Sequence, residues 1–135
     1  MATHLEEIAV RSATREELID ITTLVRAAVR RTGIEAGVAT IYCPHTTAGI
    51  TIQENADPDV RTDLAGHLAH LVPQDAGFRH AEGNADAHIK ASLIGTGQTV
   101  PLDGGTLCLG TWQAVFFCEF DGPRSRKVLV KVVAG

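Results

Sequence analysis

Three histidines stand out because each lies in a run of small polar residues: His45 in "PHTT", His80 in "RHAEGN" and His88 at the end of "NADAH". Imidazoles from separate segments can converge on a divalent metal, and zinc commonly takes three protein ligands and leaves one position open. Asn84 and His88 are four apart, so a helix through them places both on one face, with Asp86 at the same end to take a proton or orient an imidazole. The His80-x7-His88 spacing matches no recognised ligand pattern, so metal binding stays one reading beside ordinary surface histidines. Thr46 and Thr47 fit an ST-turn whose hydroxyls satisfy backbone donors. That reading leaves unexplained why Glu54, Asn55 and Asp57 follow directly from the next apolar run. Arg124, in "DGPRSRK", reads either as a solvated hairpin residue or as a planar anchor for phosphate or carboxylate. His4, His67 and His70 carry no such signal.

The elements that must position these groups follow from periodicity. "LEEIAVRS" (5–12) alternates as a strand. "TREELIDITTLVRAAVRRTG" (14–33) reads as one helix, opening on a Thr14-x-x-Glu17 capping box, with Leu18, Ile21, Leu24, Val25, Ala28 and Val29 on one face and Gly33 as its stop. "GVATIYC" and "AGITIQE" are strands around "PHTT". Asp57 and Pro58 cap a second helix striped by Val60, Leu64, Leu68 and Leu71, ending before Pro73. "QDAGFRHAEG" is a loop, and a third helix runs from near Asn84 to Gly95. "QTVPL", "TLCLG", "WQAVFFCEF" and "RKVLVKVV" close the chain as strands, the first pair joined across "DGG" and the last pair across "DGPRS". The mixed order and the strand-only C-terminal third predict an α+β fold, one domain over residues 1–135, with a largely antiparallel or mixed sheet and two to three helices.

Composition excludes several classes. The 135 residues suffice for one unstapled core, and 44% hydrophobic with 21% charged residues argues against disorder. A net charge of −4 without a basic block speaks against nucleic acid. No apolar run reaches membrane-span length and the start lacks a signal-peptide layout, so the expected setting is cytoplasmic, with no membrane partner. Cys43, Cys108 and Cys118, an odd set without paired spacing, are expected to be buried reduced thiols.

Three stretches, "HTTAGITIQENADPDVRTDL" (45–64), "HAEGNADAHIKASLIG" (80–95) and "LCLGTWQAVFFCEFDGPRSRKV" (107–128), resemble in order and spacing the YjbQ-type family, described as secondary thiamine-phosphate synthases. The resemblance implies a homotrimer that joins a pyrimidine-methyl diphosphate to a thiazole phosphate with release of diphosphate. It transfers functional roles onto His45, Thr46, Thr47, Glu54, Asn55, His80, Asn84, Asp86, His88, Gln113 and Arg124. On that basis Glu54, Asn55 and Asp86 are the expected catalytic groups, and Thr46, Thr47, Asn84, Gln113 and Arg124 the expected substrate-binding groups. His45, His80 and His88 are the expected ligands of a divalent metal, zinc by ligand type or magnesium with a diphosphate substrate. The chain lacks a carboxylate-rich diphosphate–magnesium motif and a glycine-rich phosphate loop. Two alternatives follow: metal-assisted hydrolysis of a small phosphorylated or amide substrate, with Glu54 or Asp86 as base, and a non-catalytic trimer that binds a small anionic metabolite. "HTT" and "EN" bracket one strand and so lie about 25 Å apart at roughly 3.3 Å per residue. One pocket in one subunit can hardly use both, and a trimer would let a neighbouring chain supply the second set.

Overall fold

A computed structural model describes residues 2–135. In chain order the elements are β1 (Thr3–Arg11), β2 (Glu17–Asp20), α1 (Thr22–Thr32), β3 (Gly37–Tyr42), β4 (Ala48–Glu54), α2 (Pro58–Leu71), α3 (Ala85–Ile94), β5 (Gly97–Asp103), β6 (Thr106–Leu107), β7 (Gln113–Glu119) and β8 (Ser125–Ala134). They build two antiparallel sheets, one ordered β1-β8-β3-β5-β6 and one ordered β2-β7-β4. The α+β reading holds.

Both faces of β7 are apolar, and each face finds its own core. Val115 and Phe117 point into a cluster with Ile50, the α1 N-cap Ile21, Val25 and Val29 of α1, and the inward valines of β8, Val128, Val130 and Val132. Ala114, Phe116 and Cys118 point the other way, onto Leu64 and Leu68 of α2 and Ala87 and Ala91 of α3. The three-stranded sheet is therefore the middle layer. One chain covers β7 on both sides, so this strand's apolar character makes no demand on a neighbouring subunit.

The first helix corrects the sequence reading. Residues 17–20 form β2, paired with β7 from Glu17↔Glu119 to Asp20↔Phe116, and α1 begins only at Thr22. The expected capping box is a turn lock instead: Glu17 Oε1 accepts the backbone N–H groups of Ala13 (2.7 Å) and Thr14 (3.3 Å). Leu18 packs in the α2/α3 core, whereas Ile21, Val25 and Val29 serve the other one. A single helix could not divide its apolar residues between opposite faces of the middle sheet. Leu24, placed on the expected stripe, is 45% exposed.

The C-terminal strands need a second correction. β5 and β6 meet across Asp103–Gly105 as expected, although β6 is only two residues long. β7 and β8 are not a hairpin, because they lie in different sheets and the segment 121–124 crosses between them. α2 and α3 match their expected bounds, with the Asp57 side chain accepting from Asp59 N–H at the α2 N-cap, while Leu71 is exposed. Cys43 and Cys118 are buried free thiols and Cys108 is an exposed one, correcting the expectation that all three are buried. Among the described residues no helix is long and apolar enough to cross a membrane.

Candidate functional site

The "PHTT" segment passes from β3 in one sheet to β4 in the other, so no ladder satisfies its backbone. A buried ion pair holds it instead. Arg126, at the start of β8, donates from Nη2 to Thr47 Oγ1 at 2.9 Å and from Nε to Glu119 Oε1 at 2.9 Å, with a further Nη2 bond to Glu119 Oε2. Glu119 also accepts the Ser12 hydroxyl (2.7 Å) and the Asp121 N–H (3.0 Å). Burial pushes the Glu119 carboxyl upward, but the Arg126, Ser12 and Asp121 donors outweigh it and hold the group below its ordinary value.

Gly49 seats this segment against α3. A Cβ there would sit 2.6 Å from the backbone oxygen of Gly95, which already accepts the Ile50 N–H at 3.1 Å. Only glycine permits that approach. His45 stands edge-on to Phe117, its ring centroid 6.4 Å away, and its Nε2 accepts the backbone N–H of Lys127 at 3.0 Å. Burial, and then the Arg126 charge, lower its pKa from the ordinary 6.5. The ring is therefore neutral at neutral pH, with Nε2 facing both the N–H and the carbonyl of Lys127.

Opposite stands the N-terminus of α3. Asn84 precedes the helix and donates from its amide to Asp121 Oδ2 at 2.7 Å, while its Oδ1 is buried with no partner among the described residues. Arg124 approaches from the β7–β8 crossover. Its Nε donates to the Asp121 carbonyl (2.8 Å) and its Nη2 to Asp121 Oδ2 (3.1 Å). The crossover comes this close because Gly122 has no Cβ, which would lie 2.4 Å from Thr14 O. His45, Thr46, Thr47, Asn84, His88 and Arg124, together with Pro44, Glu82, Asp121 and Arg126, line one open cleft of about 380 Å³.

Six of the eleven expected site residues thus meet in one place, and the others lie elsewhere. His80 borders a neighbouring loop cavity, although its ring centroid is 5.1 Å from that of His88. Asp86 orients no imidazole: it is fully buried, bonded by Arg15 (3.0 Å) and by Lys90 (2.8 Å), itself also buried. Asn55 and Gln113 border a separate cleft of about 420 Å³ beside the exposed Trp112, at the far end of β4. Glu54, half-buried, pairs with Gln113 there. Among the described residues no three His, Cys, Asp or Glu side chains are grouped so as to hold a metal ion.

Arg126, Glu119, Ser12, Asp121 and Glu82 were missed. For Arg126 a signal existed, since it falls in step with the inward residues Val128, Val130 and Val132. An arginine on the buried face of a strand requires a buried partner.

The family described as UPF0047 protein YjbQ-like matches residues 6–135. The chain is 49% identical to the UPF0047 protein YugU of Bacillus subtilis over 130 residues, 96% of this chain and 98% of that one. It is 54% identical to a UPF0047 protein of Methanocaldococcus jannaschii over 119 residues, 88% of this chain and 86% of that protein. Among solved structures, a YjbQ/UPF0047 protein of Clostridium acetobutylicum superposes with a TM-score of 0.93 at 50% identity, covering 95% of this chain and 99% of that one. A protein of Sulfolobus solfataricus, described as of unknown function, superposes with a TM-score of 0.95 at 30% identity over 99% of both chains. These relatives correct the functional expectation. They are named only as UPF0047 or uncharacterized proteins, so neither thiamine-phosphate synthesis nor another enzymatic activity comes to this chain through them. Family and fold are secure on these matches: the chain belongs to the UPF0047, YjbQ-like family.

Proposed function

We propose that the cleft between "HTT", the α3 N-terminus and the β7–β8 crossover recognises a small anionic metabolite through its phosphate or carboxylate group. The observation that carries this reading is the gathering of Thr46, Thr47, Asn84, His45 and Arg124 around one open cavity. Arg124 Nη1 has no hydrogen bond among the described residues, and the guanidinium is already held by Asp121 through Nε and Nη2. A pre-oriented guanidinium loses little freedom on meeting an oxyanion. The unpartnered Asn84 Oδ1 supplies an acceptor for a ligand hydroxyl or a protonated oxyanion.

Calorimetric titration with methyl phosphate tests it. Arg124→Ala is expected to weaken binding roughly ten- to a hundredfold, as loss of a charged hydrogen bond of about 1.5–3 kcal/mol implies. Equal affinities within about twofold, or no binding to the parent at millimolar phosphate, would remove the reading.

A divalent cation is a second reading, favoured by the closeness of His80 and His88. Two imidazoles suit zinc better than magnesium, and Glu82 lines the same cleft as His88. A bound cation would supply electrophilic stabilisation to a ligand oxygen. Among the described residues no third His, Cys, Asp or Glu side chain is grouped with this pair, so the remaining positions on a cation would fall to the ligand and solvent. Elemental analysis of parent and His88→Ala protein decides the matter, and zinc at the same low level in both would overturn it. A homotrimer completes the proposal. Leu5, Val38 and Tyr42 are 62%, 42% and 44% exposed on the outer face of the five-stranded sheet, which no helix among the described residues covers. Sedimentation equilibrium that fits a monomer would exclude it.

A further inference from the structure

A second cavity, of about 320 Å³, adjoins the anion cleft and shares His45, Thr46 and His88 with it. Its remaining lining is Ala91, Ser92 and Thr96. The chemistry changes sharply across the shared wall. On one side stand Arg124, Asn84 and Thr47; on the other the two shared imidazoles are the only ionisable groups. The one new hydroxyl donor on that side besides Thr96, Ser92 Oγ–H, is already given to the His88 carbonyl at 2.9 Å. A ligand anchored by an oxyanion among Thr47, Asn84 and Arg124, and reaching over Thr46 between the two imidazoles, meets methyl groups and ring edges there.

We propose that the ligand is an amphipathic small molecule: a phosphate or carboxylate carrying a compact alkyl or aryl arm, with the arm lying in the Ala91–Ser92–Thr96 cavity. This rests on the anion reading above and adds the ligand's second half. Specificity among small anions would then come from the arm, because the donors around the oxyanion do not distinguish one phosphate ester from another.

The test compares methyl phosphate with phenyl phosphate on the full chain by calorimetry. Both present the same oxyanion, so their difference reports the arm. Phenyl phosphate is expected to bind at least about tenfold tighter, as partial burial of one ring provides. Ser92→Leu and Thr96→Leu fill the second cavity from two sides, and both positions are solvent-exposed, so the core is left intact. Each should erase the phenyl advantage and leave methyl phosphate within about twofold of the parent. If methyl phosphate binds in an Arg124-dependent way and phenyl phosphate binds no tighter, the arm is overturned and the anion reading stands. If the advantage survives both leucine variants, its assignment to this cavity is overturned. If neither ester binds the parent, the anion reading falls and this inference falls with it.

Discussion

Replacing Glu119 with alanine removes the only counter-charge, among the described residues, of a guanidinium that is 3% exposed, and with it the acceptor of the Ser12 hydroxyl and the Asp121 N–H. Breaking a buried pair from one side costs about 3–5 kcal/mol, because the remaining charge stays desolvated. At about 2.1 cal/mol/K of unfolding entropy per residue, a chain of this length loses roughly 10 °C of Tm for 3 kcal/mol. Urea unfolding followed by circular dichroism at neutral pH is the assay, with calorimetric melting as the cross-check. The paired variant Glu119→Leu with Arg126→Met, which leaves no buried charge, should lose clearly less than the sum of the single losses. The pH dependence adds a signed check. Glu119 is held in the folded chain below its ordinary value of 4.5, so its stabilisation is fully present above that value. It is lost as pH falls through 4.5 and then through the lower folded pKa, because the unfolded chain takes up the proton first. Glu119→Gln should flatten that acid limb. A Glu119→Ala protein within 1 kcal/mol of the parent, with an unchanged acid limb, would refute the view that this pair holds the Thr47 segment.

Three further outcomes follow from the geometry. Gly49→Ala places a Cβ 2.6 Å from Gly95 O and should cost about 1–3 kcal/mol in urea unfolding, whereas Gly66→Ala, with open space around its Cβ, should not destabilise. The His45 ring should resist protonation below the ordinary 6.5 in an NMR pH titration; its neutral form is favoured by folding, so its effect on stability erodes as pH falls below 6.5, and an ordinary titration would contradict its burial beside the Arg126 charge. Alkylation of the native protein should modify Cys108 alone, since Cys43 is buried with its thiol raised by burial and Cys118 is pushed up to about 12; mass spectrometry finding label on either would count against their burial.

What the sequence determined by itself is what contiguous residues decide. The period of "AGITIQE" and "WQAVFFCEF", the Asp57–Pro58 start of α2 and the Asn84 and Gly95 limits of α3 are local patterns, and each element formed where its pattern stood. The polar cluster of "HTT", Asn84, His88 and Arg124 was legible as residue types out of place, because polar side chains at element ends have no packing reason to be there. Only the tertiary structure decided which sheet each strand joins. "TREELID" carries a helical pattern, yet β7 offered Leu18 a ladder and the α2/α3 core a place, and that non-local pairing outweighed propensity. "DGPRS" has hairpin chemistry, but β7 and β8 bury their faces in different layers, so it became a crossover that carries Arg124 to the cleft. Asp86 reads as a free carboxylate beside a histidine until Lys90, one turn on, and Arg15, 71 residues away, close on it. Periodicity is a property of neighbours along the chain, whereas the partner of a buried charge is set by loop closures between distant segments, and no local pattern encodes those.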